Sequence, residues 1–542
     1  MTTTTDTGKG GYDGIIVGGG HNGLVAGFYL ARAGFRMLVL ERREFVGGAC
    51  VTEEVLPGYR ASTGAYVLSM LGSDIWSDMR LRQRGVEVDD AGPTLNIYAD
   101  GSHLYFHDDL ELTMAEVSRF SKKDAAALPK FEDDIARIAG PVAPMFNWTP
   151  VDPRVRRTAD LAGLVQMGLH AARHRRQLPD AAYLFTTSAT QYLDERFESD
   201  RVKAALGWHS INDSVAGPST PGTAYVLLHD HASVEQGGGT RQWGFVRGGM
   251  GKLTEAMAEA VREARGEIRT GAEVERILVR NGRATGVLLR GGQEISANFV
   301  LSNADPKRTF LGLLDRSELP AEFVGAIETY RSMGTSVKIN LAVSELPRFR
   351  GLPGDGVQPY HRGIIEVNPL LAELDSQQLG ARQGIPATDP HIELCVPSVH
   401  DSSLAPEGRH IVTIDVNAQP YQLADGSWDD IKEGVADRAI EKLARHFPNL
   451  PGSILGRAIL SPLDMERTLY LTGGHALHGD MLIDQLFFMR PVRGWGSYRT
   501  PIRGLYLCGA GTHPGGGVSG ANGRNAARQL RRDVRTRLLR LS

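Results

Sequence analysis

Three cysteines in 542 residues, Cys50, Cys395 and Cys508, are too few and too scattered for a disulfide framework. None belongs to a Cys-x-x-Cys pair, so a dithiol redox centre is excluded. Neither sign of charge is in excess: 60 basic against 63 acidic side chains and a pI of about 6.6 give nucleic acid no electrostatic footprint. No apolar run approaches the roughly 20 residues that cross a bilayer. The opening MTTTTDTGKGG has neither the apolar core of a secretion signal nor the arginines of a mitochondrial presequence. The expected location is the cytoplasm, with contact to a membrane surface left open. No metal constellation stands out either, because His229 and His231 lack plausible carboxylate or cysteine partners in the sequence, and His475 and His478 sit in a glycine-rich loop.

Glycine, by contrast, is plentiful at 64 residues, and it gathers where chemistry is expected. Tyr12 to Val17 is a β-branched apolar run of the kind that makes a buried parallel strand. Gly18, Gly20 and Gly23 follow as G-x-G-x-x-G: a tight turn, a backbone that can approach a pyrophosphate, and a close helix–strand contact. Leu24 to Ala33 is the helix this motif predicts, ended by Gly34, with N–H groups at its start that favour phosphate. Met37 to Leu40 is the second strand. Glu41 stands at its carboxyl end, where a carboxylate takes ribose hydroxyls and disfavours a 2′-phosphate. Asn22 and Arg42 complete the candidate set here. In Val46-Gly47-Gly48-Ala49-Cys50-Val51-Thr52 the chain resembles flavoproteins of the glutathione reductase type, whose Gly-Gly pair lies along the diphosphate and flavin. That resemblance implies FAD rather than NAD, with Gly47 and Gly48 against it.

The length suits two domains. From Ser73 to about Gly239, strand signals at Leu95–Tyr98 and Leu104–Phe106 precede helical patterns at 121–139, 159–177 and 180–195. On 159–177 apolar residues share one face and Arg173, His174, Arg175 and Arg176 cluster at the end. Such a helix either lies in an anionic membrane surface or packs normally, its basic end complementing the dipole; packing is the simpler expectation. Nucleotide-binding character returns at Trp243, with a helix over 252–265, strands at 267–268, 273–279 and 284–289 around an Asn281-Gly282 hairpin turn, and a buried strand at 299–305. A second stretch, 309–499, carries strands at 336–343, 391–396 and 410–417. In the first of these, Ser336, Lys338 and Asn340 alternate with Val337, Ile339 and Leu341, so the polar face looks into a cavity or, more simply, into solvent. Finally Leu505–Cys508 is a strand leading into GAGTHPGGGVSG and a helix over 519–539. Gly509, Gly511, Gly517 and Val518 there bring backbone to a flat ligand, and the helix start stabilises charge on a reduced flavin.

Taken together, GGGHNGLVAGFYLARAG, ERREFVGGACVT, GGMGKL, VLSNADP and LYLCGAGTHPGGGVSG resemble the bacterial-type phytoene desaturase and carotenoid isomerase group of FAD-dependent oxidoreductases. The fold class expected is α/β with α+β insertions. A discontinuous Rossmann FAD domain would comprise 12–72, 243–308 and 500–540, and a mixed sheet-plus-helix substrate or lid domain 73–242 and 309–499. The resemblance also implies that Val274 meets the adenine, that Asn303 and Ala304 approach the cofactor, and that FAD is bound non-covalently. There is no second G-x-G-x-x-G unit for NAD(P), so oxygen or a quinone is the expected electron acceptor. The expected reaction removes hydrogen across a carbon–carbon bond of a long apolar, polyene or isoprenoid-like substrate, with hydride passing to flavin N5, or else isomerises such a bond. His513, in the THPG motif, is a catalytic candidate because imidazole titrates near neutrality; structural support of the glycine loop is the competing role. Lys338 is a second candidate if its strand face meets the cavity. Tyr225, His229 and His231 either gate substrate entry or, for the histidines, simply satisfy buried backbone. Two other readings stay open: a flavin amine oxidase using oxygen, and a flavin-bearing interaction protein with little turnover. Oligomeric state is not encoded legibly.

Overall fold

The computed structural model describes residues 11–154, 158–211, 214–236 and 243–541. Tyr12–Val17 forms a strand flanked in parallel by Met37–Leu40 and by the long strand Glu294–Ser302. Glu267–Arg269 extends the sheet beyond Met37–Leu40, and Leu505–Leu507 extends it beyond the second half of Glu294–Ser302. Five parallel strands are thus collected from the beginning, middle and end of the chain. Their side chains alternate between two cores. Ile16 and Val39 pack with helices His21–Arg32, Met250–Glu263 and Ala521–Arg535, whereas Ile15, Val17, Leu38 and Leu40 pack against Phe310, Phe323 and the hairpin that branches from the sheet. That hairpin joins Val274–Arg280 to Arg283–Leu289. Asn281 (φ 53°) and Gly282 (φ 67°) both occupy the left-handed region, as a type I′ turn requires.

A second, seven-stranded sheet runs in the order Ile454–Leu460, Val337–Val343, His410–Val416, Ile392–Cys395, Ile365–Val367, Thr94–Ile97 and His103–Phe106. It is antiparallel except where Ile365–Val367 meets Thr94–Ile97. One face is apolar: Val337, Ile339, Ile414, Leu394 and Ile365 pack beneath the helix Trp428–Ala444. The opposite face carries the polar residues, yet every residue of Val337–Val343 is buried. The solvent-facing alternative for this strand is therefore wrong. Its polar side is covered by the first sheet's loops.

The helical insertion departs from the expected pattern in its details. The helix expected over 180–195 is two, Leu178–Thr186 and Ala189–Asp194. Between them Thr187 is extended, and Ser188 caps the second helix by accepting from the Gln191 N–H. The helix expected over 121–139 starts at Lys122 behind the Ser121 cap and continues to Val142. That over 159–177 is Thr158–Arg173. The terminal helix is shorter than expected at both ends, Ala521–Arg535: Gly520 sits at φ 69° outside its start and Arg537 at φ 60° beyond its end.

The first and last helices fix how the chain's two ends meet. At Gly523 a Cβ would lie 2.0 Å from the Asn22 carbonyl oxygen, so these helices touch backbone to backbone. Gly523→Ala should cost about 1–3 kcal/mol through overpacking and lower the thermal denaturation midpoint. An unchanged midpoint would mean the helices stand farther apart than described.

Candidate active site

The glycines of the opening motif build a bed rather than a turn alone. Gly47 N–H donates to the Gly19 carbonyl at 2.9 Å, and Gly20 and Gly47 form a parallel bridge. A Cβ on Gly20 would lie 2.8 Å from Asn303 Nδ2, and one on Gly48 3.1 Å from Gly20 Cα. On Gly23 it would stand 2.3 Å from the Gly18 oxygen, which is the close contact that lets helix His21–Arg32 leave the strand. Glu41 is buried; its two oxygens accept the N–H groups of Gly19 at 2.8 Å and Arg43 at 2.9 Å, leaving lone pairs for hydroxyls. The first turn of His21–Arg32 holds no acidic side chain, so nothing competes with a phosphate there.

A cavity of about 540 Å³ begins on this bed. Gly18, Gly20, Asn22, Glu41, Arg42, Gly48, Val274, Asn303, Ala304, Gly517 and Val518 all line it. Gly23, Gly47, Gly509 and Gly511 do not. A Cβ on Gly509 would strike the Asn303 carbonyl and one on Gly511 the Pro306 ring, so these two seat the terminal loop on the loop after Ser302. Gly517 (φ 96°) lies against Met70, whose sulfur would be 2.4 Å from an added Cβ. A backbone bed, a ribose-type carboxylate and a helix start in one cavity fit FAD, and among these residues Gly18, Gly20, Asn22, Glu41, Gly48, Asn303 and Gly517 would hold it.

Over the nucleotide end lies a group that residue pattern did not reveal. Tyr470, at φ 59°, donates from its hydroxyl to Glu273 Oε1 at 2.9 Å. The guanidinium carbons of Arg42 and Arg308 stand 3.5 and 4.2 Å from its ring centroid. All four side chains line the cavity, and the contact joins the 309–499 stretch to the first sheet.

At the other end the cavity reaches the polar face of the second sheet. Lys338 is only 1% exposed, donates from Nζ to the Gly64 carbonyl, and stands 3.7 Å from the Tyr66 ring centroid. Burial pushes its ammonium down to about 8, against the opposing pull of Asp415. Lys338 is the first member of a row across five strands: Lys338 pairs in register with Asp415, Asp415 with Glu393, Glu393 with Glu366, and Glu366 with Asn96. Lys338, Asp415 and Glu393 line the cavity with Tyr66, Trp208 and Trp243. Tyr66 donates its hydroxyl proton to Glu393 Oε1. Burial raises both Glu393 and Glu366 well above the usual carboxylate range, and Asp415 raises them further. Behind the row His391 Nε2 stands 2.8 Å from Glu366 Oε2, and burial holds its ring well below the ordinary imidazole range. Sequence reading missed the carboxylates; the available signal was an acid inside each apolar run, Glu366 in IIEVN and Glu393 in IELCV.

His513 is placed differently from Lys338. It does not line the cavity; its Nε2–H donates to the Met145 carbonyl at 2.9 Å and its ring stacks on Phe487 at 5.6 Å. Burial pushes it down to about 4, so it is neutral near pH 7. Tyr225, His229 and His231 lie on helix Ala224–Gln236, away from the cavity lining. Tyr225 stacks on Phe185, His229 meets the Phe146 ring at a tilt of 42°, and His231 Nδ1–H donates to the Leu227 carbonyl. They belong to the packing of the helical insertion, not to the cavity's opening. The three cysteines are buried and unpaired, and no group of three or more metal-ligating side chains occurs among the described residues.

The Tyr470 contact generates a prediction. Tyr470→Ala removes two cation–π contacts over the nucleotide end and should speed FAD dissociation about tenfold. Flavin fluorescence appearing on dilution measures it; an unchanged rate would free Tyr470 of any part in retention.

Comparison with known proteins agrees with this geometry. Residues 23–531 match the family described as flavin containing amine oxidoreductase. Rat "pyridine nucleotide-disulfide oxidoreductase domain-containing protein 2" is 38% identical over 97% of this chain and 94% of its own. The neurosporene-forming phytoene desaturase of Cereibacter sphaeroides is 26% identical over 94% of this chain and 92% of its own. Among solved structures, an oxidoreductase from Methanosarcina mazei superposes with a TM-score of 0.59 at 17% identity, covering 96% of this chain and 99% of that one. The chain belongs to the flavin-containing amine oxidoreductase family, an FAD-dependent oxidoreductase with an α/β cofactor sheet and a mixed sheet above it.

Proposed function

We propose that this oxidoreductase desaturates, or isomerises, a carbon–carbon bond of a long apolar, polyene or isoprenoid-like substrate. The observation that carries the reading is the single cavity running from the glycine bed to Lys338, with Val67, Met70 and Leu477 among its apolar lining. The likeness to a phytoene desaturase along nearly the whole chain supports it. When bound, FAD supplies the capacity to accept a hydride. The chain's own share is position, exclusion of water and proton handling. Gly48, Gly517 and Val518 set the plane against which the substrate lies. Trp208, Trp243 and Tyr66 close the far side. Lys338 Nζ, held between Gly64 and Tyr66, takes or returns the proton that leaves with the reacting bond. In the desaturation, electrons would leave to oxygen or a quinone, a reading supported by the sequence offering no second G-x-G-x-x-G unit for NAD(P). Such a substrate is held in lipid, so we place the protein in the cytoplasm at a membrane surface. The discontinuous division into a cofactor domain (12–72, 243–308, 500–540) and a substrate domain (73–242, 309–499) belongs to the same proposal.

A second reading has its own observation. Glu393 and Asp415 beside Trp208, Trp243 and Tyr66 would suit an amine, which carboxylates and aromatic faces attract. Anaerobic mixing separates the two. Bleaching of the bound flavin by isoprenoid polyenes, and not by simple mono- or diamines, is expected; bleaching by amines alone would overturn the desaturase reading. No bleaching by either would favour the interaction protein.

The lysine gives a test that needs no substrate. Its folded pKa of about 8 lies below the unfolded value of about 10.4. Between those values the unfolded chain binds the extra proton, so this group makes stability rise with pH there and leaves it flat below about 8. Lys338→Met should remove that rise, gaining about 3 kcal/mol at pH 7 relative to wild type before the loss of the Gly64 contact is subtracted. Denaturation midpoints of both proteins from pH 7 to about 10.4 measure it; parallel curves would mean that Lys338 is not desolvated.

A further inference from the structure

Helix Thr158–Arg173 is anchored on its inner side and, among the described residues, unpartnered on its outer side. Asp160, its one acidic residue, is buried and paired with Arg499 at 3.1 Å. Gly163 packs on Val151, and His170 Nε2–H donates to the Pro141 carbonyl at 2.8 Å while its ring meets Trp148 edge-on. These contacts fix the helix's rotation, and the rotation presents apolar side chains to water. Leu161 is 50% exposed, Val165 60% and Leu169 68%. With Gly168 and Ala172, also exposed, they fall within about 100° of helical arc. Arg173, Arg175 and Arg176 are exposed where the stripe ends, and none of the three forms an ion pair among the described residues. Leu178, 46% exposed, follows them.

A stripe of this kind on a water-soluble surface is unfavourable unless something covers it. The packed-helix expectation for this segment accounts for Asp160 and His170 but leaves Leu161, Val165 and Leu169 unexplained. We infer that the outer face of Thr158–Arg173 docks on an anionic lipid bilayer, with Leu161, Val165 and Leu169 entering the acyl boundary and Arg173, Arg175 and Arg176 meeting the head groups. Charge decides between a bilayer and a second copy of this chain. The outward face carries no acid, its basic end matches a negative surface, and the isologous pairing of a dimer would have to bring like charges from two copies into one contact. The inference extends the membrane placement proposed for the enzyme, but it rests on this helix and not on the substrate. Its failure would therefore leave the flavin-bleaching result standing, and the converse.

The experiment is co-sedimentation of FAD-loaded full-length protein with vesicles of phosphatidylcholine plus phosphatidylglycerol, or of phosphatidylcholine alone. Binding to the anionic vesicles is expected, weaker on the neutral ones, and reduced by added salt. The triple variant Leu161→Ser, Val165→Ser, Leu169→Ser should lose about a hundredfold in partition coefficient, and Arg173→Gln, Arg175→Gln, Arg176→Gln should remove the difference between the two vesicle types. Because these side chains are exposed, both variants should keep wild-type FAD content and melting midpoint, which shows that loss of binding is not loss of fold. Wild-type protein remaining in the supernatant with anionic vesicles would overturn the inference. So would triple-serine protein that sediments like wild type, or a concentration-dependent dimer that the serine substitutions abolish in the absence of lipid.

Discussion

The approach of bare backbone to bare backbone is the constraint on which this structure depends. Gly19 and Gly20 are zipped to Gly47, and Gly48 is close enough to Gly20 that an added Cβ would press on its Cα. Gly23 lies against the Gly18 oxygen, and Gly523 against the Asn22 carbonyl. Each contact removes the space a side chain would need, and among these residues Gly18, Gly20 and Gly48 are left as a surface facing the cavity. A diphosphate needs such a surface, because N–H donors must come within hydrogen-bond distance with no Cβ between. The same contacts bring the two ends of a 542-residue chain together, since Gly523 belongs to the last helix and Asn22 to the first. The glycines proposed to hold the cofactor thus neighbour those that join the first and last helices, and FAD bound there would stabilise that junction by mass action.

The second sheet meets the opposite physical demand, which is to carry charge in a dry place. Lys338, Asp415, Glu393 and Glu366 lie in register on adjacent strands, spaced by roughly 4.8 Å from one strand to the next. Three carboxyl groups that close cannot all ionise when buried, and the upward shifts of Glu366 and Glu393 express that. Neutral, they become hydrogen-bond donors as well as acceptors. The wall is then polar with less charge than a row of anions would carry, which would suit the apolar substrate proposed. Apolar strand neighbours such as Ile414 and Leu394 turn to the other side and make the core beneath Trp428–Ala444. The two-residue period thus separates a stabilising face from a chemical one on the same strands.

How much of this was legible in the residues follows from the range of the interactions involved. The strand, glycines, helix and acid of Tyr12–Glu41 are local, and the two strands took the expected places, while the helix expected over 24–33 runs His21–Arg32 and takes Gly23 into its first turn. The Asn281-Gly282 hairpin was legible for the same reason, because a type I′ turn selects its own residues. The polar alternation of Val337–Val343 was visible, but its burial was not, since cavity wall and solvent face impose one period. The carboxylate row was hidden because register between Glu366, Glu393 and Asp415 is set by pairing across segments far apart in sequence. Tyr470 was hidden for the same reason: its partners Arg42, Glu273 and Arg308 come from three other segments. The break at Thr187 escaped a helical pattern on both sides of it, and only the Ser188 cap marks it locally.

Placement also moves the proton chemistry within the proposed reaction. The THPG histidine was the natural candidate from sequence, since an ordinary imidazole titrates near neutrality. Inside this fold His513 is committed at Nε2 to the Met145 carbonyl, flattened on Phe487, and too strongly desolvated to hold a proton near pH 7. His21 and His478, which do line the cavity, are likewise pushed down to about 4 by burial. Lys338 is displaced in the useful direction, to about 8, where an amine exchanges a proton readily. Glu393, raised by the same desolvation, is joined to it through Tyr66, whose ring lies under the ammonium and whose hydroxyl meets the carboxyl. Burial thus turns the histidines into fixed hydrogen-bonding groups and brings the lysine and the carboxyl toward neutrality from opposite sides. The groups able to move a proton then lie on the floor of the second sheet, across the cavity from the glycines, so that in the proposed reaction a substrate would lie between the residues that would hold FAD and the side chain that would take the proton.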